Sequence, residues 1–320
     1  MTLREYFKSF DRFNVVPILG YAGLKIGGLN AQQCLHDPKL HAELVKSNLK
    51  HFEPDAVISL MDLTVEAESY GIKPQFKDYD PPEIRTHIPL DKVTEPQRSG
   101  ARIDIMVEAA RQISQQVKDI PTGFFVTGPF TLAGQIVGLE PLLMGLYQSR
   151  ETTSKLIENC TEMIIDYVKR LEETGISFLV LADMSSSLIS PKDFEQSVKT
   201  PISRVVKEFS NDVVLHMCGR TSHLLKHLGE TGAAAISIDQ NVPLPNAVEA
   251  VPSEMLVFGN YSPVGLMSEN TSTITSNVTR MVSAVNPVNV IASSGCDIPS
   301  QTPPENIKTF IQAVKSYKKT

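Results

Sequence analysis

The 320-residue sequence predicts a single parallel (β/α)8 barrel spanning residues 1–320. Three observations predict it: eight short apolar runs, amphipathic helical segments between them, and polar residues gathered at the carboxyl ends of most runs. The runs lie at residues 15–19, 56–60, 123–126, 177–182, 213–215, 234–238, 255–258 and 288–292. Their short length and continuous apolar character suit parallel strands buried on both faces. The alternating pattern also admits an open doubly wound sheet, but the count of eight and the unbroken composition favour closure into one barrel.

The intervening segments read as helices in turn. Asp37 stands before Pro38, and Ser190 before Pro191, each pairing an N-cap residue with a proline suited to the first helical position. Between the third and fourth runs, Leu156, Ile157, Cys160, Met163, Ile164, Tyr167, Val168 and Leu171 recur three and four apart on one stripe. At the end of the chain Thr302 and Glu305 have capping-box spacing ahead of Ile307, Phe310, Ile311 and Val314. The stretch 62–99 breaks the rhythm with Pro74, Pro81, Pro82, Pro89 and Pro96. In a barrel it follows the second strand, on the face where long loops shape a pocket.

Composition narrows the class of partner. A net charge of −6 disfavours non-specific attraction to nucleic acid, and the basic tail 315–319 reads as a solvated helix end. No run approaches the ~18 apolar residues of a membrane span, and the first dozen residues carry charges of mixed sign, so no membrane association and a cytoplasmic location are expected. Four scattered cysteines do not make a disulfide framework. Cys34 and Cys160 fall at apolar helix positions and read as packing residues. His41, His51, His223 and His227 show no thiol or carboxylate at useful spacing and read as surface or packing residues.

A parallel barrel places its chemistry at the carboxyl ends of its strands. The runs end at Asp62, at Thr127-Gly128-Pro129, at Asp183, at His216-Met217-Cys218, at Asp239-Gln240, at Asn260 and at Gly295-Cys296. His216 and Cys218 are two apart, so a continuing strand projects both to one side. With Cys296 from the eighth strand they offer one imidazole and two thiols. That set suits zinc with an open fourth position, although spacing alone leaves a metal-free cysteine pair or a structural zinc as alternatives.

Three stretches then carry a family resemblance: Met61-Asp62-Leu63-Thr64-Val65-Glu66-Ala67-Glu68, Thr127-Gly128-Pro129-Phe130-Thr131, and His216-Met217-Cys218-Gly219 through Ile238-Asp239-Gln240 and Gly259-Asn260 to Gly295-Cys296. Over nearly the whole chain the sequence resembles the zinc-dependent corrinoid-protein methyltransferases of the uroporphyrinogen decarboxylase superfamily. The resemblance implies that superfamily's barrel and Zn2+ bound by His216, Cys218 and Cys296. It also implies a methylcobamide donor carried by a corrinoid protein, with coenzyme M or tetrahydrofolate as acceptor.

Within that reading Glu66, Glu68 or Asp239 are candidates for a resting fourth ligand. Asp62, Asp183, Asp239 and Asn260 are candidate catalytic or orienting groups, and Thr127, Gly128 and Gln240 candidate substrate contacts. Arg85, Arg220 and Asp183 do not discriminate between a sulfonate and a pterin acceptor. The loop after Asp62 is a candidate contact for the corrinoid protein. Two alternatives stay open: a metal-free porphyrinogen decarboxylase, disfavoured because residues 14–21 contain no arginine, and a non-catalytic corrinoid-protein binding module.

Overall fold

The computed structural model describes residues 1–97 and 102–318; Ser99, near the end of the long loop, and Lys319 of the basic tail lie outside them. Eight strands are present: β1 (Asn14–Val15), β2 (Val57–Ile58), β3 (Thr122–Thr127), β4 (Phe178–Ala182), β5 (Asp212–Met217), β6 (Ala235–Ile238), β7 (Leu256–Tyr261) and β8 (Val290–Ser294). All paired neighbours are parallel, in the order β1-β8-β7-β6-β5-β4-β3-β2. The chain therefore forms the (β/α)8 barrel that the eight apolar runs predict.

The ring closes between β1 and β2 without a ladder. Asp55 N donates to Val15 O at 2.9 Å, and the Asp55 carboxylate accepts from Val15 N at 2.8 Å. Arg12 holds the same carboxylate through two bonds of 2.7 and 2.8 Å, with Lys315 Nζ 3.4 Å away. Lys315 is thus part of the seam rather than a freely solvated charge. The first strand is shorter than the run at 15–19 because Pro17 has no N–H to give the ladder. Val16 N still reaches Ala292 O at 2.8 Å.

Two apolar layers follow from strand alternation. Inside the ring, Val16, Ile58, Phe125, Val180, Val214, Ala235, Phe258 and Ile291 meet, and Leu3 and Phe7 of the helix Leu3–Lys8 join them. Outside it, the opposite faces of the strands pack on the surrounding helices. Helix Arg150–Glu172 buries the whole stripe from Leu156 to Leu171, Cys160 included.

The capping residues behave unequally. Asp37 accepts from Lys39 N and Leu40 N at 2.8 and 3.3 Å, and Ser190 accepts from Asp193 N at 3.1 Å. The capping box at Thr302 and Glu305 does not form. The last helix begins one residue later, at Pro304, with Pro303 in the cap position and no side-chain cap. Thr302 is buried in the preceding turn, its hydroxyl without a hydrogen-bond partner among the described residues.

Among the described residues no single helix is long and apolar enough to cross a membrane. Both members of the one bent pair of helices that could, Pro129–Val137 with Leu139–Gln148, pack against helix Arg150–Glu172.

Candidate metal centre

The side chains of β5 alternate, so with Val214 inside the ring His216 also points inward, where it is fully buried. Cys218 follows directly after the strand and keeps that parity. A turn begins at Gly219, whose φ of +91° belongs to the left-handed region that glycine adopts without steric cost. Cys296 arrives two residues beyond the end of β8. His216 Nε2 lies 2.9 Å from Cys218 Sγ, Cys218 Sγ lies 2.9 Å from Cys296 Sγ, and Cys296 Sγ lies 3.8 Å from His216 Nε2.

These three donor atoms lie mutually within 4.8 Å. Ligands on a tetrahedral zinc, at ~2.0–2.1 Å for nitrogen and ~2.3 Å for sulfur, stand roughly 3.5–3.8 Å apart. The set therefore matches zinc in donor type and needs only a fraction of an ångström of opening in the sulfur positions. Both thiols are half-buried, and each borders on the other electrostatically. The hydrogen bond from Cys218 lowers the pKa of Cys296, helped by His216, while that bond and burial raise the pKa of Cys218. A bound cation would displace the thiol protons. On the far side of the ring, His216 Nδ1 lies 2.9 Å from Ser237 Oγ, and Phe125 packs edge-on to the imidazole at 6.5 Å between centroids.

A cavity of about 520 Å3 opens beside Cys296 at the carboxyl end of the barrel. Its walls are mostly apolar, with Met61, Leu63, Ile84, Leu139 and Met184 among them; Asp297 lies next to the thiol. Burial and the neighbouring Cys296 charge hold the Asp297 carboxyl well above the usual carboxylate range. A larger hollow of about 940 Å3 lies at the opposite end, bordered by Phe7, Arg12, Pro287 and Lys315, far from the thiols.

The long loop supplies one cavity wall through residues 81–84 and His87. It is pinned by a buried cation. Arg102 ion-pairs with Asp62, bonds Glu68 at 2.7 Å and Thr64 Oγ1 at 2.9 Å, and lies 4.8 Å over the Phe76 ring. Further along, His87 Nδ1 is 3.0 Å from Gln135 O, and Ile88 N donates to Ile136 O at 2.8 Å.

The other candidate residues have partners of their own. None of the carboxylates of Glu66, Glu68 or Asp239 joins the three donors within the 4.8 Å group. Glu66 accepts from Thr127 N and Oγ1 at 2.8 and 2.7 Å, Glu68 is engaged by Arg102, and Asp239 accepts from Asn241 N and Nδ2 at 2.8 and 2.6 Å.

Asp62 is bonded to Thr64 and paired with Arg102. Asp183 caps the helix Pro129–Val137, accepting from Phe130 N, Thr131 N and Thr131 Oγ1 at 3.2, 2.9 and 2.8 Å. Thr127 and Gly128 are enclosed, and Gly128 abuts Asp183 so closely that a Cβ there would stand 2.3 Å from the Asp183 Cβ. Asn260 donates to Asp239 O and Val242 O at 2.9 and 2.5 Å, a loop-holding role, while Gln240 is exposed.

Outside the site, His227 does have a carboxylate partner, Glu195 at 3.1 Å, in a surface ion-pair cluster with Lys199 and Glu230. His41 is a packing residue, its Nε2 accepting from Leu60 N at 3.0 Å. Arg102, Ser237 and Asp297 escape sequence reasoning. Of these, Ser237 had a readable signal: a lone polar residue in the apolar run 235–238, on the parity that faces inward.

The chain matches the uroporphyrinogen decarboxylase (URO-D) family over residues 8–317. It is 28% identical over 276 residues to a methylcobamide:CoM methyltransferase of Methanosarcina acetivorans, covering 82% of this chain and 80% of that one. It is 26% identical over 297 residues to a uroporphyrinogen decarboxylase of Myxococcus xanthus, covering 89% and 84%. Among solved structures, a methyltransferase from Methanosarcina mazei superposes with a TM-score of 0.89 at 22% identity, covering 97% of this chain and 96% of that one. At that identity the likeness speaks for the fold.

Proposed function

The chain belongs to the uroporphyrinogen decarboxylase (URO-D) family, and from that premise we propose that it is a zinc-dependent methyltransferase passing a methyl group from a methylcobamide to a small thiol. One observation carries the reading: His216 and Cys218, two apart in sequence, and the remote Cys296 present one imidazole and two sulfur donors within 4.8 Å at the edge of a cavity. Three protein donors leave a position for an exchangeable group, the pattern of catalytic rather than structural zinc. The name of the Methanosarcina acetivorans relative, a methylcobamide:CoM methyltransferase, supports donor and acceptor class. The decarboxylase branch has less support here. Arg4 and Arg12 sit at the opposite end of the barrel, Arg12 bound to Asp55.

His216, Cys218 and Cys296 would hold the ion, which when bound supplies a Lewis acid that keeps an incoming thiol ionised at neutral pH. The chain's own contribution is placement. The apolar wall from Met61 to Met184 keeps water from the acceptor sulfur, and the barrel mouth is the approach for the donor. In the transfer, the methyl–cobalt bond breaks with its electron pair left on cobalt, the thiolate sulfur bonds the methyl carbon, and the thiol proton is lost to solvent. Alignment of sulfur, carbon and cobalt supplies the larger part of the acceleration, because ionising a thiol of pKa ~8.5 raises its thiolate population at pH 7 by only about 30-fold. A corrinoid protein is the proposed carrier of the donor.

The test is zinc per chain in protein purified without added metal, for wild type and Cys296→Ala, together with demethylation of methylcobalamin by coenzyme M or by tetrahydrofolate. About one zinc in the wild type, a marked loss in the variant, and turnover with the thiol are expected. A wild type that takes up no zinc on reconstitution would overturn the proposal; turnover with tetrahydrofolate alone would overturn the acceptor class.

A further inference from the structure

We propose that Ser237 is a positioning residue of the metal centre, holding His216 in the one tautomer and ring orientation that can ligate through Nε2. The inference rests on the zinc reading above and adds a residue to it. His216 on β5 and Ser237 on β6 are register partners across the parallel ladder. Both point into the ring, as their neighbours Val214 and Ala235 do, and both are buried.

An imidazole has two nitrogens, and only an unprotonated one can bind a metal. In His216 the two face different chemistry. Nε2 is directed at the sulfurs, 2.9 Å from Cys218 and 3.8 Å from Cys296, whereas Nδ1 is directed at Ser237 Oγ, 2.9 Å away. A serine hydroxyl can accept the Nδ1 proton or donate to a bare Nδ1; with Nε2 committed to a metal the proton sits on Nδ1, and the hydroxyl oxygen is its acceptor. Ring rotation is opposed from two sides, by this bond and by the edge-on face of Phe125.

Without the hydroxyl, a buried Nδ1–H has no acceptor among the groups it now faces. The alternative tautomer removes that penalty by placing the proton on Nε2, where it blocks the metal. Partners of this kind on ligating histidines typically contribute 10–100-fold to metal affinity.

The experiment compares wild type, Ser237→Ala and Ser237→Thr for zinc affinity, by competition with a chromophoric chelator. Long-range 1H–15N correlation spectra of the histidine side chains are recorded on the same zinc-loaded proteins. The expected result is a 10–100-fold weaker zinc dissociation constant for Ser237→Ala, recovered to within about threefold by Ser237→Thr, which keeps the hydroxyl. The spectra should place the His216 proton on Nδ1 in wild type and Ser237→Thr.

Unchanged zinc affinity in a folded Ser237→Ala protein would overturn the inference. If Ser237→Ala does not fold, a wild-type spectrum with the proton on Nε2 would overturn it, and one with the proton on Nδ1 together with tight binding by Ser237→Thr would support it. A wild-type chain that binds no zinc defeats the metal reading and this inference with it, whereas tight wild-type binding with no Ser237 effect defeats the inference alone.

Discussion

Replacing Arg102 by Met tests whether the cavity wall is held by a buried cation. The Arg102 side chain is 4% exposed and its partners Asp62 and Glu68 are 2% and 14% exposed, so little solvent screens the three charges. Methionine refills the volume of the alkyl stem but leaves two carboxylates without their counter-charge. Breaking a buried ion pair by removing one partner costs about 3–5 kcal/mol. The lost guanidinium contact with Phe76 adds to this, and residual bonds from Thr64 to Asp62 subtract, which leaves a net loss of roughly 4 kcal/mol.

For 320 residues, an unfolding entropy near 2.1 cal/mol/K per residue amounts to about 0.7 kcal/mol/K, so the expected drop in melting temperature is about 6 °C. Urea denaturation followed by circular dichroism, alongside calorimetry, reads both quantities. Adding Asp62→Asn to Arg102→Met should recover part of the loss, because it removes one of the stranded charges. A single variant within about 1 kcal/mol of wild type would refute the argument that Arg102 pins the loop.

Two buried groups give stability opposite pH slopes. Burial pushes the His41 pKa down from 6.5 to about 4, so the unfolded chain takes up a proton the folded one refuses. Stability present above pH 6.5 is therefore lost as pH falls toward 4, by up to about 3 kcal/mol, and His41→Gln should flatten that slope in urea midpoints. Burial raises the Glu66 carboxyl from 4.5 to about 7 against opposing bonds from Thr127, so here stability is lost as pH rises through that window. Glu66→Gln should gain on wild type by up to about 3 kcal/mol between pH 5 and pH 8, and equal offsets at both would contradict the burial argument. Gly128→Ala would place its Cβ 2.3 Å from the Asp183 Cβ; a loss of about 1–3 kcal/mol is expected by thermal melting, and an unchanged melt would show that the cap relaxes freely.

The strands were legible because burial on both faces leaves an unmistakable run of apolar residues, and seven of the eight overlap the observed strands over most of the shorter span. Helix starts were legible where a proline follows its cap, as at Asp37 and Ser190. Thr302 misled because its spacing to Glu305 satisfies a capping box only if the helix starts at residue 303, and it starts at Pro304. The polar residues at strand ends were found as a set but not sorted. Asp183, Asp62, Thr127 and Asn260 look alike in sequence, since a carboxylate or amide that caps a helix or ties down a loop is chemically identical to one that meets substrate.

By itself the sequence determined the barrel and the pairing of His216 with Cys218, because strand alternation is a local property with a period of two residues. It also marked Cys296 as a partner through its place at the end of the last run. Only the tertiary structure decided what surrounds those donors. Ser237 reaches His216 across a ladder register, Arg102 reaches Asp62 across forty residues of chain, and Glu66, Glu68 and Asp239 bond Thr127, Arg102 and Asn241. Such partnerships depend on distances in the folded chain that no local spacing encodes, and they separate the groups that hold the fold from those left to do chemistry.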